Sequence, residues 1–372
     1  MPPAAKKSGR STRSKQLNLD LLRDLCETPG VPGREERVQA LIESEVEGLF
    51  DEIETDALGS LICRRGPRSS GKSGGSKKGD PTRVMLLCHM DEIGFYVSHV
   101  SDEGFLSIDP AGGFDPRTLF ARRVKVCTDG GDYPGVMNPA GKPIHLSTPE
   151  ERSKVPDLSS FFIDVGMTGA QAKQRVQIGD YVVMDEPAIK MGGKFVSKAL
   201  DNRVACWLGI EAIRELDALG TGHRCEVVVA FTSQEEVGLR GAKAASYAVR
   251  PDIGIGIDVT LSCDTPGVPA DSRVTLHGKG FGLHVKDSSF IADYTLVQEI
   301  EAVAKKHRIP YQRSILGRGG QDGAAAQQAA AGARAVGVTV GTRYIHTVTE
   351  SIDVDDLRAA RDVLARYLTT VK

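Results

Sequence analysis

The chain has 372 residues, enough for two or three domains of ordinary size and a sizeable core, which excludes a small disulfide-stapled fold. Lys and Arg (47) nearly balance Asp and Glu (49), so the basic excess that phosphate-backbone binding requires is missing and nucleic acid is not expected as a partner. No apolar run approaches the roughly 18 residues of a membrane span, and the opening MPPAAKKSGRSTRSKQ lacks a signal peptide's apolar centre; the expectation is a soluble, cytoplasmic chain with no membrane partner.

Residues 1–16 are Lys, Arg, Ser and Pro without apolar periodicity and read as a disordered basic tail. Further on, residues 64–81 (RRGPRSSGKSGGSKKGDP) separate the strand-like Leu61-Ile62-Cys63 from the strand-like Val84 to Cys88, and read as a long, flexible surface hairpin loop. Gly66 to Ser73 inside it matches G-x-x-x-x-G-K-[ST]. A phosphate loop must open a helix, and the GGSKKGDP that follows cannot form one, so the match is attributed to composition.

Val84 to Cys88, Cys225 to Phe231, Ile253 to Ile257 and Ala335 to Val340 are short apolar runs of the kind that form strands buried on both faces. Helical spacing appears over Asp201 to Leu216, Leu239 to Val249, Ala292 to His307, Asp322 to Ala331 and Val354 to Leu368. Such alternation predicts an α/β fold with a mainly parallel sheet. Between residues 96 and 189 the texture changes to short β-like pieces broken by Gly, Pro and Asp, which predicts an inserted β-domain. The α/β domain is then discontinuous, over 17–95 and 190–372. The cysteines (Cys26, Cys63, Cys88, Cys127, Cys206, Cys225, Cys263) are odd in number and scattered without a C-x-x-C pair, so they read as reduced packing residues.

Chemistry concentrates where the predicted strands end. His89-Met90-Asp91 follows the first, Glu235-Glu236 the second, Asp258 closes the third, His346 lies beyond the fourth, and Asp201 opens a helix. Ligands of open α/β sheets bind outside the carboxyl ends of the strands, so separate segments deliver these side chains to one edge. Two imidazoles and three carboxylates suit zinc, cobalt or manganese. Two ions roughly 3.5–4 Å apart with one bridging carboxylate would use all five ligands, with a water or hydroxide between them. In H-x-D the side chains return to the same face, so Asp91 can hydrogen-bond His89; neighbouring Glu235 and Glu236 diverge, with Glu236 assigned to metal and Glu235 to general base. Singly, each has a bland reading: Asp201 as a helix N-cap, the Glu pair as surface charge. The remaining histidines (His99, His145, His223, His277, His284, His307) are read as structural, in turns, linkers or helix ends.

At these residues the sequence resembles the co-catalytic metallo-aminopeptidases of the tetrahedral, glutamyl and deblocking type. The matching segments are HMDEIGF (89–95), GGFDPR (112–117), KALDNR (198–203), SQEEVGLRGA (233–242), DVTLSCDTPGV (258–268), HGKG (277–280), GGQD (319–322) and RYIHTVTE (343–350), in order along residues 17–370. Gln321 stands where Thr is common, and Thr347-Val348 where Ser-Pro is common. The resemblance implies His89 and Asp258 on one metal, Glu236 and His346 on the other, Asp201 bridging, Glu235 as base and Asp91 orienting His89. It further implies an aminopeptidase catalytic domain of phosphorylase/hydrolase-like α/β architecture and a small barrel-like insert serving oligomerisation. Two divalent ions per subunit, zinc or cobalt ahead of manganese, peptide substrates and a homo-oligomer between dimer and dodecamer complete the expectation. The rivals are a metal-dependent amidohydrolase or deacylase, a glycoside hydrolase, which leaves both histidines unexplained, and a scaffold protein that has kept the fold without activity.

Overall fold

The computed structural model describes residues 17–69 and 80–372. The expected tail, and residues 70–79 of the linker with the Gly71–Ser73 end of the phosphate-loop match, lie outside the described residues. The linker is no hairpin loop: Arg64 and Arg65 belong to the strand Leu61–Arg65, Arg68–Ser69 pairs with Gly222–His223, and Glu226–Thr232 lies between the two strands that the linker joins. The four apolar runs become neighbouring parallel strands in the order Glu226–Thr232, Arg83–His89, Ile253–Leu261, Arg334–Arg343. Alternate residues face opposite sides. Val84, Leu86 and Cys88 pack into one large core, whereas Met85 and Leu87 enter a smaller one beneath the helices Arg240–Val249 and Gly323–Gln328. Helix Leu200–Leu219, with fully buried Trp207, covers the first face together with Val354–Leu368.

The eleven-stranded sheet extends beyond this parallel centre through strands that, apart from the one at Leu61-Ile62-Cys63, the sequence reading did not anticipate. Glu350–Asp353, Lys194–Ser197 and Ile189–Met191 continue it antiparallel on one side, and Leu61–Arg65 and Glu52–Thr55 on the other. Phe281–Lys286 joins antiparallel to Arg334–Arg343 and carries Tyr311–Ile315. The unanticipated pieces are short and mixed in polarity, so neither period nor apolar run marks them.

The inserted segment closes into a barrel of the strands Tyr181–Met184, Gly94–Val100, Phe105–Ala111, Phe161–Asp164, Gly131–Pro139 and Arg122–Thr128. Its first strand begins at Gly94, before the predicted boundary at 96, because the chain leaves His89 and enters the barrel almost at once. A Cβ on Gly94 would lie 2.3 Å from Val31 and 2.6 Å from the Val182 carbonyl, so only glycine fits that junction. At the other end Ile189–Met191 pairs with the main sheet, not the barrel. The barrel has its own core around Phe95, Val124, Met137 and Ile163. Val348, from the loop that carries His346, packs into that core, and Phe114 stacks on Phe95 with ring centroids 4.3 Å apart. Among the described residues no helix is long and apolar enough to cross a membrane.

Candidate metal centre

His89 is the last residue of its strand, and its neighbour in the sheet, Thr232, is the last of the next. Asp258 lies within its strand, which continues to Leu261, rather than closing it. Asp201 has non-helical φ/ψ at the start of helix Leu200–Leu219. The N-cap role open to Asp201 is taken by Asn202, whose Oδ1 accepts from the Ala205 N–H (3.1 Å) while its Nδ2 donates to Asp258 Oδ1 (2.9 Å). Asp201 is thereby free to face the cleft. Glu235 and Glu236 lie in the turn after Thr232, behind Gln234 at φ +56°, and His346 itself sits at φ +65°. Both are left-handed conformations that a residue with a Cβ adopts only when its surroundings enforce them.

These segments bring the predicted ligands together. Asp201 lies between the two imidazoles, Oδ1 3.3 Å from His89 Nε2 and Oδ2 3.3 Å from His346 Nε2. His89 Nε2 also lies 4.0 Å from Asp258 Oδ1 and 3.9 Å from Glu235 Oε2, and His346 Nε2 is 3.5 Å from Glu236 Oε2. Potential ligand atoms form two clusters, His89 with Glu235 and Asp258, and His89 with Asp201 and Glu236. The first cluster includes Glu235, the residue assigned as base in the sequence reading.

The electrostatics are those of a site built around cations. Burial lifts the Glu235 and Asp258 carboxyls well above the usual range, with neighbouring carboxylates adding to the effect against the opposing charge of His89. Burial alone would lower the pKa of His346, but Asp201 and Glu236 overcome it and raise it to about 12. The same competition raises His89 well above its ordinary value, Glu235 being its strongest charged neighbour. Burial opposes ionisation of Asp201, yet both imidazoles hold it well below the carboxylate range. The nearby bases, Lys198 and Arg203, are committed to Glu92 (2.6 and 3.4 Å), and Arg203 also to backbone carbonyls. Glu236 Oε1 is buried with no hydrogen-bond partner among the described residues. An orphaned oxygen on a carboxylate whose other oxygen faces the His346 imidazole, amid excess negative charge, fits a divalent cation.

Asp91 does more than the H-x-D spacing suggests. His89 Nδ1 lies 3.1 Å from the Asp91 carbonyl and 3.4 Å from its carboxylate, while that carboxylate accepts the N–H groups of both Glu235 and Glu236 at 3.0 Å. Glu35, which the sequence reading missed, accepts the Gln234 N–H with the same oxygen that takes the Gly33 N–H, both at 2.9 Å, and burial pushes its pKa up to about 7. Three consecutive amides of the Glu235 turn are therefore held by buried carboxylates. Also missed were Asp322, buried behind the site and hydrogen-bonded by Thr232, and Glu350, which accepts from the backbone of Asp201 and His346. The GGQD and RYIHTVTE segments contained these residues, but only folding reveals which atoms they touch. His223, His277 and His284 are buried and hydrogen-bonded, as structural histidines should be, although His99, His223 and His284 lie in strands rather than turns or linkers. All cysteines are free.

The profile of the M42 glutamyl aminopeptidase family matches residues 71–363. A putative aminopeptidase of Acetivibrio thermocellus is 34% identical over 94% of this chain and 98% of its own length. Among solved structures, a TET aminopeptidase from the marine sediment archaeon Thaumarchaeota archaeon SCGC AB-539-E09 superposes with a TM-score of 0.88 at 32% identity, covering 95% of this chain and 96% of that one. The Pyrococcus horikoshii TET1 peptidase, described as able to assemble into a tetrahedron or a large octahedral shell, gives 0.82 at 28% identity over 95% and 99%.

Proposed function

The chain belongs to the M42 glutamyl aminopeptidase family and is a metal-dependent aminopeptidase, and from that premise we propose how its residues divide the work. His89 and Asp258 would hold one divalent ion and Glu236 and His346 a second, with the Asp201 carboxylate available to both. Zinc or cobalt suits this imidazole and carboxylate set, with manganese a harder alternative. When bound, such ions polarise the scissile carbonyl and lower the pKa of water.

The remaining steps fall to the protein. Glu235, buried among carboxylates that raise its proton affinity, takes a proton from the attacking water and returns it to the leaving amine. Asp91 positions the Glu235 turn through the backbone and supports His89 through Nδ1, which leaves Nε2 facing the cleft. The observation that carries this reading is Asp201, with one oxygen on each imidazole at equal distance.

Peptides with a free N-terminal amine are the proposed substrates of a cytoplasmic homo-oligomer. The assembly described for the Pyrococcus horikoshii relative supports the oligomer, and exposed Ile144, Leu146 and Ile178 between the barrel strands support the inserted domain, about residues 96–189, as its interface. A panel of aminoacyl-anilides and N-acylated counterparts, with chelator and with added zinc, cobalt or manganese, tests the function. Release from free-amine substrates only, lost with chelator and regained with metal, is expected. Equal cleavage of N-acylated substrates would favour an amidohydrolase or deacylase.

A further inference from the structure

Two of the proposed ligands sit on backbone gripped by one side chain. Glu350 opens the strand Glu350–Asp353 and is 2% exposed. Its Oε2 accepts the Asp201 N–H (3.0 Å) and its Oε1 the His346 N–H (2.7 Å), one oxygen to each of two segments far apart in the chain. Both segments need such a hold. Asp201 lies outside helical φ/ψ, and His346 is in the left-handed region, so neither amide is fixed by a regular element. Among the described residues Glu350 makes no salt bridge, so these two N–H groups are its compensation for burial. Its strand, paired with Arg334–Arg343 and Lys194–Ser197, is a rigid base for the grip.

We propose that Glu350 is a positioning residue that brackets the backbone of Asp201 and His346, and so sets the affinity for the ion held by Asp201, Glu236 and His346. The inference rests on the ligand pairing proposed above. Both side chains on that ion's imidazole and bridging positions depend on Glu350, whereas the ion on His89 and Asp258 shares only Asp201 with it. The bracket therefore acts unequally on the two ions. Glu350 itself, with both oxygens engaged by amides, is not a ligand.

Glu350→Gln keeps the side chain's size but turns a donor toward one of the two N–H groups. Metal-free enzyme and variant are titrated with cobalt(II) alone, and bound ions are counted by elemental analysis and followed by visible absorption. Two ions per subunit are expected in the native chain. In Glu350→Gln one remains tight and the other weakens about ten-fold or more, while the melting temperature of the metal-free protein moves little and its rise on adding cobalt shrinks. Native affinity for both ions in Glu350→Gln, beside a native chain that binds two, overturns the inference; a native chain that binds fewer than two overturns the pairing instead. Should Glu350→Gln not fold, Glu350→Asp keeps two acceptors on a stem one methylene shorter and carries the same test, with an intermediate loss expected and unchanged second-ion affinity counting against the bracket.

Discussion

The two halves of the metal centre are built differently. His89 and Asp258 stand on central strands of the sheet, with side chains 2% and 10% exposed, and their backbone is fixed by parallel neighbours. Glu236 and His346 stand on turns, His346 is 32% exposed, and left-handed residues occur in both turns. A strand end is rigid because the ladder continues behind it. A turn is rigid only where something else grips it, and here that is a set of buried carboxylates on backbone N–H groups: Asp91 and Glu35 for the Glu235 turn, Glu350 for His346. The comparison teaches that acidic residues around this centre have two functions, ligation by some and scaffolding by others, and that the turn-borne half relies on the second kind.

The largest expected effect falls on Glu235, which comes from the turn-borne half yet reaches within 3.9 Å of strand-borne His89. Glu235→Gln should lower kcat by about 10²–10⁴ with both ions still bound. Undiminished turnover would remove the base assignment, while loss of an ion would make Glu235 a ligand of the His89 and Asp258 cluster. Next come the two imidazoles. His346→Ala should weaken one ion by about 10–100-fold, with activity partly restored by excess metal, because the strand-borne half survives. His89→Ala should lose activity that added metal does not restore. Identical behaviour of the two variants, read by elemental analysis and turnover against metal concentration, would break the distinction between the halves.

The strand-borne half is legible in the amino-acid sequence because its signals are local. An apolar run followed by His-x-Asp, or by an Asp, shows both the strand and what it carries. Glu235, Glu236 and His346 emerge through proximity to such runs and through the resemblance. Asp201 requires the fold to choose between cap and cleft, and Asn202 settles it by taking the cap. Glu35 carries no signal in its own neighbourhood, and Glu350, although it closes the segment RYIHTVTE, shows nothing of its role there: each acts on backbone more than a hundred positions away or across a turn, and burial of a lone carboxylate is visible only in three dimensions. The flanking strands Lys194–Ser197 and Tyr311–Ile315 escape the sequence reading for a similar reason, being strands by pairing rather than by pattern.

A substitution in the strand-borne half sharpens the comparison by loosening what is rigid. Gly256 lies two residues before Asp258 on the same face of its strand, and a Cβ there would meet Gln321 Oε1 at 1.6 Å and the Gly323 N–H group's nitrogen at 2.7 Å. Gly256→Ala should cost about 1–3 kcal/mol through overpacking and displace the GGQD loop that backs Asp258. A lowered melting temperature with weakened binding of the first cobalt ion is expected. An unchanged first-ion affinity would mean that Asp258 does not depend on this packing.

The smallest effect concerns the approach to the turn-borne half. Arg343, shortly before His346, donates to both oxygens of Asp264 (2.7 and 2.6 Å), and Asp264 also accepts from Ser262 and the His277 N–H, which ties residues 262–277 to the end of the Arg334–Arg343 strand. The Arg343 hydrogen bonds hold the Asp264 carboxyl well below the usual carboxylate range. A carboxyl whose pKa is lower folded than unfolded stabilises the fold above its unfolded value, near 4, and that contribution fades as pH falls through the folded value. Asp264→Asn should therefore lower the melting temperature slightly at neutral pH, by the equivalent of at most about 1 kcal/mol for a partly exposed pair, and the gap should close as both proteins are acidified below about pH 4. A gap that stays constant with pH would assign the effect to packing rather than charge. A gap accompanied by a weaker second ion and an unaltered first would show that the hold on the His346 turn begins upstream of it, at the end of the strand.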